Sequence, residues 1–181
     1  MKYRLFPEEM VLMVIDLQER LLAAMNDKEK VVKNTNILLA MANRFHIPVI
    51  VTEQYPKGLG RTVPEIAANL GEHSLSEKLV YSACSPEIRQ KLQDIGRGKI
   101  VVIGTETHVC VLQTVRDLLQ DDYLVYVPQD ACCSRFPLNH QNGLELMKDM
   151  GAVLTNTETV LFDILKQAGT DDFKALSPLV R

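Results

Sequence analysis

No apolar run in this chain approaches the ~20 residues needed to cross a bilayer, so no membrane span is expected. No dense block of lysine and arginine occurs, and the formal net charge is -3, which argues against a nucleic-acid partner. The cysteines Cys84, Cys110, Cys132 and Cys133 form no Cys-x-x-Cys pair and no zinc-like spacing. Free thiols in a reducing, cytoplasmic compartment are therefore expected. No glycine-rich G-x-G-x-x-G follows the first strand-like run, which removes the phosphate cradle of a dinucleotide site. The segment Met1–Pro7 resembles neither a signal nor a transit peptide. Internal repeats and low-complexity blocks are also lacking.

What is present suits one globular domain over residues 1–181: 46% hydrophobic and 24% charged residues, in a length that buries a core without staples. Met10–Ile15 is a continuous apolar run, too short for a core helix, and reads as a buried parallel strand. Pro48–Thr52, Lys99–Ile103, Tyr123–Val127 and Ala152–Thr155 are further strand candidates. Leu75–Cys84 reads as an extended segment. Apolar spacing predicts helices from about Lys28 to Phe45, Ile66 to Leu70, Ser85 to Asp94, Thr107 to Leu119, Leu138 to Met150 and Thr157 to Gln167. Ala168–Arg181 reads as a polar-to-mixed tail and is a candidate for mobility. About six strands separated by helices imply an α/β fold: a three-layer, Rossmann-like, mostly parallel sheet with helices on both faces. Right-handed crossovers then bring the strand ends to one edge.

That edge collects the chemistry. Asp16 ends the first strand, where open α/β sheets bind ligands; a turn or cap aspartate is the plainer alternative. Lys78 precedes a short apolar run and could equally be a solvated surface charge. Cys110 lies where Gly104 breaks a strand and a helix begins. Exposed N–H groups there favour a thiolate, although cysteine is also a common buried hydrophobe. The stretch Glu53–Pro64, with two prolines and two glycines, reads as a long loop at the same edge, functional or ordinary surface. Lys57 and Arg61 on it are read as solvated rather than anion-binding.

In order and spacing, Val14-Ile-Asp16-Leu-Gln18, Thr52-Glu-Gln-Tyr-Pro-Lys-Gly-Leu-Gly60, Glu77-Lys78-Leu-Val-Tyr-Ser-Ala83 and Gly104-Thr-Glu-Thr-His-Val-Cys110-Val resemble the isochorismatase-like cysteine hydrolase superfamily. The likeness is greatest to its small isochorismatase-domain proteins of unassigned substrate and runs from about residue 10 to 167. It implies a six-stranded parallel sheet and a triad of Asp16 as base, Lys78 as electrostatic partner and Cys110 as nucleophile. It further implies a cis peptide between Thr105 and Glu106, with the N–H groups of Glu106 and Cys110 forming an oxyanion hole. Gln18, Tyr55 and His108, inside the matched motifs, are the candidate substrate contacts. Where nicotinamidases of this superfamily carry an aspartate and two histidines for a metal, this chain has Glu53-Gln-Tyr-Pro, so no metal or other cofactor is expected. The resemblance also implies a homo-oligomer. The expected activity is hydrolysis of a small amide or carbamoyl C–N bond through a thioester on Cys110. A non-catalytic binding protein is the alternative, and a thiol redox sensor a third reading.

Overall fold

The computed structural model describes residues 3–181; Met1 and Lys2, part of the segment read for a leader, lie outside the described residues. The run Met10–Ile15 is β1, with every residue buried. It lies between β2 (Val49–Gln54) and β4 (Lys99–Thr105), both parallel to it. Outside these stand β3 (His73–Lys78) next to β2, β5 (Leu124–Pro128) next to β4, and β7 (Val153–Thr155) next to β5. The order β3-β2-β1-β4-β5-β7 is parallel throughout, and the two-residue β6 (Cys132–Cys133) adds to β4 beyond the end of β5.

Alternation along β1 divides the core in two. Leu12 and Val14 pack with Leu38, Met41, Val160 and Leu161. These come from α2 (Lys28–Arg44) and α8 (Thr157–Leu165). Val11, Met13 and Ile15 face the opposite layer, with Ile88, Leu92, Val115, Leu118, Leu144 and Met147. That layer is α5 (Pro86–Ile95), α6 (Leu112–Gln120) and α7 (Pro137–Asp149). The expected three-layer α/β architecture is thus present. Short helices α1 (Glu19–Ala23), α3 (Pro56–Leu59), α4 (Pro64–Ala67) and α9 (Asp171–Leu176) complete the set among the described residues.

Several boundaries differ from expectation, each for a local reason. Gly104 does not break β4. The strand runs on to Thr105, and only glycine fits at 104, where φ is +128 and a Cβ would lie 2.0 Å from the Ile15 carbonyl oxygen. The extended segment is strand only over His73–Lys78; beyond it the chain bends around the Lys78 side chain. The stretch read as Ile66–Leu70 begins earlier, with Pro64 at the first turn of α4. The last core helix stops at Leu165, and Lys166 turns left-handed at φ 60. The tail is docked. The Thr170 side chain caps α9 by accepting from Phe173 N–H at 3.0 Å, Arg44 pairs with Asp172 at 2.6 Å, and Leu176 is buried.

The amino edge of the sheet carries a strap. Leu5 N–H donates to Asp163 at 2.7 Å. Arg97 donates to the carbonyls of Pro7 and Met10 at 2.8 and 3.0 Å. The buried Lys99 ammonium meets Glu9 and the Arg4 carbonyl, both at 2.5 Å. At the carboxyl edge, the Glu53–Pro64 loop is fastened rather than loose. Glu53 accepts from Thr62 N–H and Oγ1 at 2.7 and 2.9 Å. Arg61, read as solvated, bridges Glu53 and Glu77 at 2.8 and 2.5 Å.

Candidate active site

Asp16 follows β1 in the left-handed region, at φ 52. Three bonds hold it there: its N–H donates to the Thr52 carbonyl at 3.1 Å, and its carbonyl accepts from Gln18 N–H at 2.9 Å and Thr105 Oγ1 at 2.8 Å. The carboxylate is wholly buried and is not a helix cap. Oδ1 accepts from Thr52 Oγ1 at 2.7 Å. Oδ2 lies 2.6 Å from Lys78 Nζ. That approach is an ion pair, and Oδ2 accepts no hydrogen bond among the described residues. Lys78 is itself buried at the end of β3, not solvated. Its ammonium donates to Gln54 Oε1 at 2.7 Å and to the Tyr81 carbonyl at 2.8 Å.

Cys110 arrives from β4. After Thr105 the chain makes a cis peptide to Glu106 and then a wide π-type turn, Thr107–Val111, before α6. The thiol is buried and faces both Asp16 and Lys78. Burial, followed by the Asp16 charge, pushes it up to about 12, against a smaller lowering influence of Lys78. The thiolate expected at a helix start is not favoured: desolvation and the Asp16 carboxylate outweigh the lysine. The resting group is a thiol with a base beside it.

The turn is buttressed from α7. Asn139 Nδ2 lies 3.3 Å from His108 Nε2, and His140 Nδ1 lies 2.8 Å from Thr107 Oγ1. Gly143, one helical turn further on, comes so close that a Cβ there would stand 3.0 Å from the His108 Cα. From the other side, Thr114 Oγ1 donates to the Cys110 carbonyl at 2.6 Å and accepts from Ala83 N–H at 2.9 Å.

Asp16, Lys78 and Cys110 therefore come together, and Glu106 lies at the cis peptide. The candidate substrate contacts fare differently. Gln18 is fully buried, and its amide is used on backbone. Nε2 donates to the carbonyls of Gln54 and Gly60 at 2.9 and 2.7 Å, while Oε1 accepts from Gln54 N–H at 2.7 Å. It clamps the loop instead of facing a ligand. Tyr55 is half exposed and lies over Gly58. His108 is partly buried, with Nδ1 3.0 Å from Ser134 Oγ. Gln54, Thr52, Thr114 and Arg135 were not anticipated. Gln54 stood inside a quoted motif at a strand end, which was signal enough. Arg135, whose N–H and Nε both donate to Glu106 at 3.1 Å, carries no comparable mark.

No group of three or more His, Cys, Asp or Glu side chains suited to a metal ion occurs among the described residues. A cavity of about 390 Å³ lined by His46, His73 and Lys91 opens at the amino edge, away from Asp16, Lys78 and Cys110.

All four thiols are free and buried. Burial also lifts Cys84 to about 11 and Cys133 to about 12, and raises Cys132. Low thiolate content and low access leave the redox-sensor reading without support. Because these folded-state values lie above that of an unfolded thiol, their contribution is intact below about pH 8.5 and is lost as pH rises. Each thiol then withdraws about 1.4 kcal/mol per pH unit. The melting temperature is expected to fall from pH 8.5 to 10.5. In Cys133→Ala the fall should be shallower; an equal slope would assign the loss to other groups.

Residues 10–159 match the isochorismatase domain family model. The secreted isochorismatase effector Isc1 of Phytophthora sojae is 36% identical over 98% of this chain and 87% of that protein. Isochorismatase domain-containing protein 2 of Xenopus laevis is 36% identical over 94% of this chain and 82% of the relative. Among solved structures, the Caenorhabditis elegans MAR1 ribonuclease has 34% identity and a TM-score of 0.93, covering 98% of this chain and 92% of its own. The octameric Escherichia coli YcaC hydrolase, at 22% identity and a TM-score of 0.90 over 98% and 89% of the two chains, shares the fold. The motifs, the sheet and these likenesses agree: this chain belongs to the isochorismatase family.

Proposed function

We propose that the protein is a cysteine hydrolase that cleaves a small amide or carbamoyl C–N bond through a thioester on Cys110. One observation carries the reading: a wholly buried Asp16 carboxylate, with an oxygen lacking an aligned donor, stands beside a protonated thiol and a buried ammonium. Such a carboxylate is a base with one proton to take.

In the first half-reaction Asp16 takes the thiol proton as sulfur attacks the carbonyl carbon. The carbonyl π pair moves to oxygen, facing the N–H groups of Glu106 and Cys110. The oxyanion then re-forms the carbonyl, the C–N bond breaks, and Asp16 gives its proton to the departing nitrogen. In the second half-reaction water loses a proton to Asp16 and attacks the thioester. The C–S bond breaks, sulfur recovers the proton, and the acid leaves. Lys78 holds positive charge beside the carboxylate throughout. Tyr55 and His108 are read as walls for the substrate.

Glu53 and Gln54 stand where the nicotinamidases' metal motif would fall, and both are engaged with the protein, Glu53 to Thr62 and Arg61, Gln54 to Lys78 and Leu79. This supports a metal-independent route. No helix of the described residues is long and apolar enough to cross a membrane, and a cytoplasmic enzyme is the reading in keeping with four free thiols. Leu79, Val80 and Tyr81 are exposed just after Lys78. They suit burial against a second copy in a homo-oligomer, and the Escherichia coli protein that shares the fold is an octamer.

The test is a panel of amides, carbamoyl compounds, nicotinamide, isochorismate and a structured RNA, quenched in acid and read by intact mass. An amide or carbamoyl compound is expected to leave its acyl mass on Cys110 and to release amine, with the RNA uncut. Turnover without any acyl-enzyme, or RNA cleavage alone, would overturn the proposal.

A further inference from the structure

Lys78 is the charge of the triad, so what aims its ammonium matters as much as its presence. The partners within 3 Å are Asp16 Oδ2, Gln54 Oε1 and the Tyr81 carbonyl; the Val80 carbonyl is further off at 3.4 Å. Of the nearer three, only Gln54 is a neutral side chain with no proton to exchange. Its own orientation is set twice. Nε2 donates to the Leu79 carbonyl at 2.8 Å, which turns Oε1 toward the ammonium. Its backbone N–H and carbonyl are both gripped by the Gln18 amide. Gln18 follows Asp16 by two residues, so base and clamp leave the same strand end. The buried chain Gln18–Gln54–Lys78–Asp16 thus spans the ends of β1, β2 and β3.

We infer that Gln54 is a positioning residue that holds the Lys78 ammonium between Asp16 and Cys110, with Gln18 fixing Gln54. The inference rests on the triad proposed above. It gives a use to a buried glutamine pair whose amides bond to Lys78 and to backbone. With its acceptor gone, the ammonium is held only by the Val80 and Tyr81 carbonyls and Asp16. It swings toward those carbonyls, and Cys110 loses its one favourable charge. A spacer that merely filled the core would change stability and leave the thiol's titration alone.

The test needs no substrate. Iodoacetamide alkylation of the full-length protein is followed by peptide mass spectrometry at Cys110 across pH 7 to 10, with the Cys84 peptide as internal reference. Gln54→Met keeps the length and removes the acceptor. Gln54→Asn keeps the amide but falls a methylene short. Each is expected to move the Cys110 profile to higher pH, lowering its rate at pH 9 about tenfold, one unit of titration, with Cys84 unmoved. If one variant fails to fold, the other decides. A folded variant with the wild-type Cys110 profile, even one that melts earlier, overturns the inference. Lys78→Met separates the two ideas. If it leaves the profile unmoved, the triad reading itself fails; if it shifts the profile while both Gln54 variants do not, only Gln54's role falls.

Discussion

Cys110→Ala is expected to abolish the acyl-enzyme and to lower kcat by about 10⁴- to 10⁶-fold, the range seen when a covalent nucleophile is removed. The fold should survive. The thiol is buried in the turn Thr107–Val111 that precedes α6, and losing one sulfur from a core site costs on the order of 1 kcal/mol. A melting curve near wild type with turnover gone is therefore the expected pair of results. The measurement is single-turnover kinetics on the compound that acylates the wild-type enzyme. Undiminished turnover would mean that the carbonyl is not attacked by sulfur, and chemistry without a thioester would have to replace it. Loss of turnover with unchanged ligand binding separates catalysis from the binding-protein alternative, in which alanine alters neither.

Asp16→Asn has a more unusual expected signature, because the two properties of Cys110 move in opposite directions. Asp16 raises the thiol's pKa through its charge. Without the carboxylate the thiol ionises at lower pH, and iodoacetamide should label Cys110 faster at neutral pH. Turnover should nevertheless fall about 10²- to 10⁴-fold, since asparagine cannot carry a proton to the leaving amine. A variant that labels faster and turns over slower assigns Asp16 to proton transfer. One that loses both in proportion points to collapse of the site. Stability should also drop, by about 3–5 kcal/mol, because the substitution strands the buried Lys78 ammonium. Labelling is best run well below the melting point for that reason.

How far these residues could be read in advance depends on the kind of interaction each one makes. β1 and Asp16 were legible because six apolar residues between polar neighbours allow little besides a buried strand. Cys110 was legible as a strand-to-helix position, but not in its titration. That depends on how deeply the turn is buried and on a carboxylate 94 positions earlier in the chain. Gly104 looked like a stop because glycine usually interrupts strands. Its actual role, clearance for the Ile15 carbonyl, is a long-range packing fact with no local mark. Gln18 was placed in the site by motif and is near it, yet a buried amide shows its partners only once the chain is folded. The tail misled for the same reason. Phe173, Leu176 and Val180 are scattered apolar residues in a mixed stretch, and only the folded core gives them somewhere to dock.

The two ends of the sheet divide the labour. The strap of Leu5–Met10, with Arg97, Lys99 and Asp163, closes the amino edge and touches none of the triad. The strand ends and loops at the carboxyl edge hold all of it. On the proposed function, changes in the loops around Tyr55 and Leu79 would alter which molecules are admitted without loosening the foundation. Changes to the strap trade in stability alone. Such a scaffold can be inherited with its chemistry intact while its diet changes.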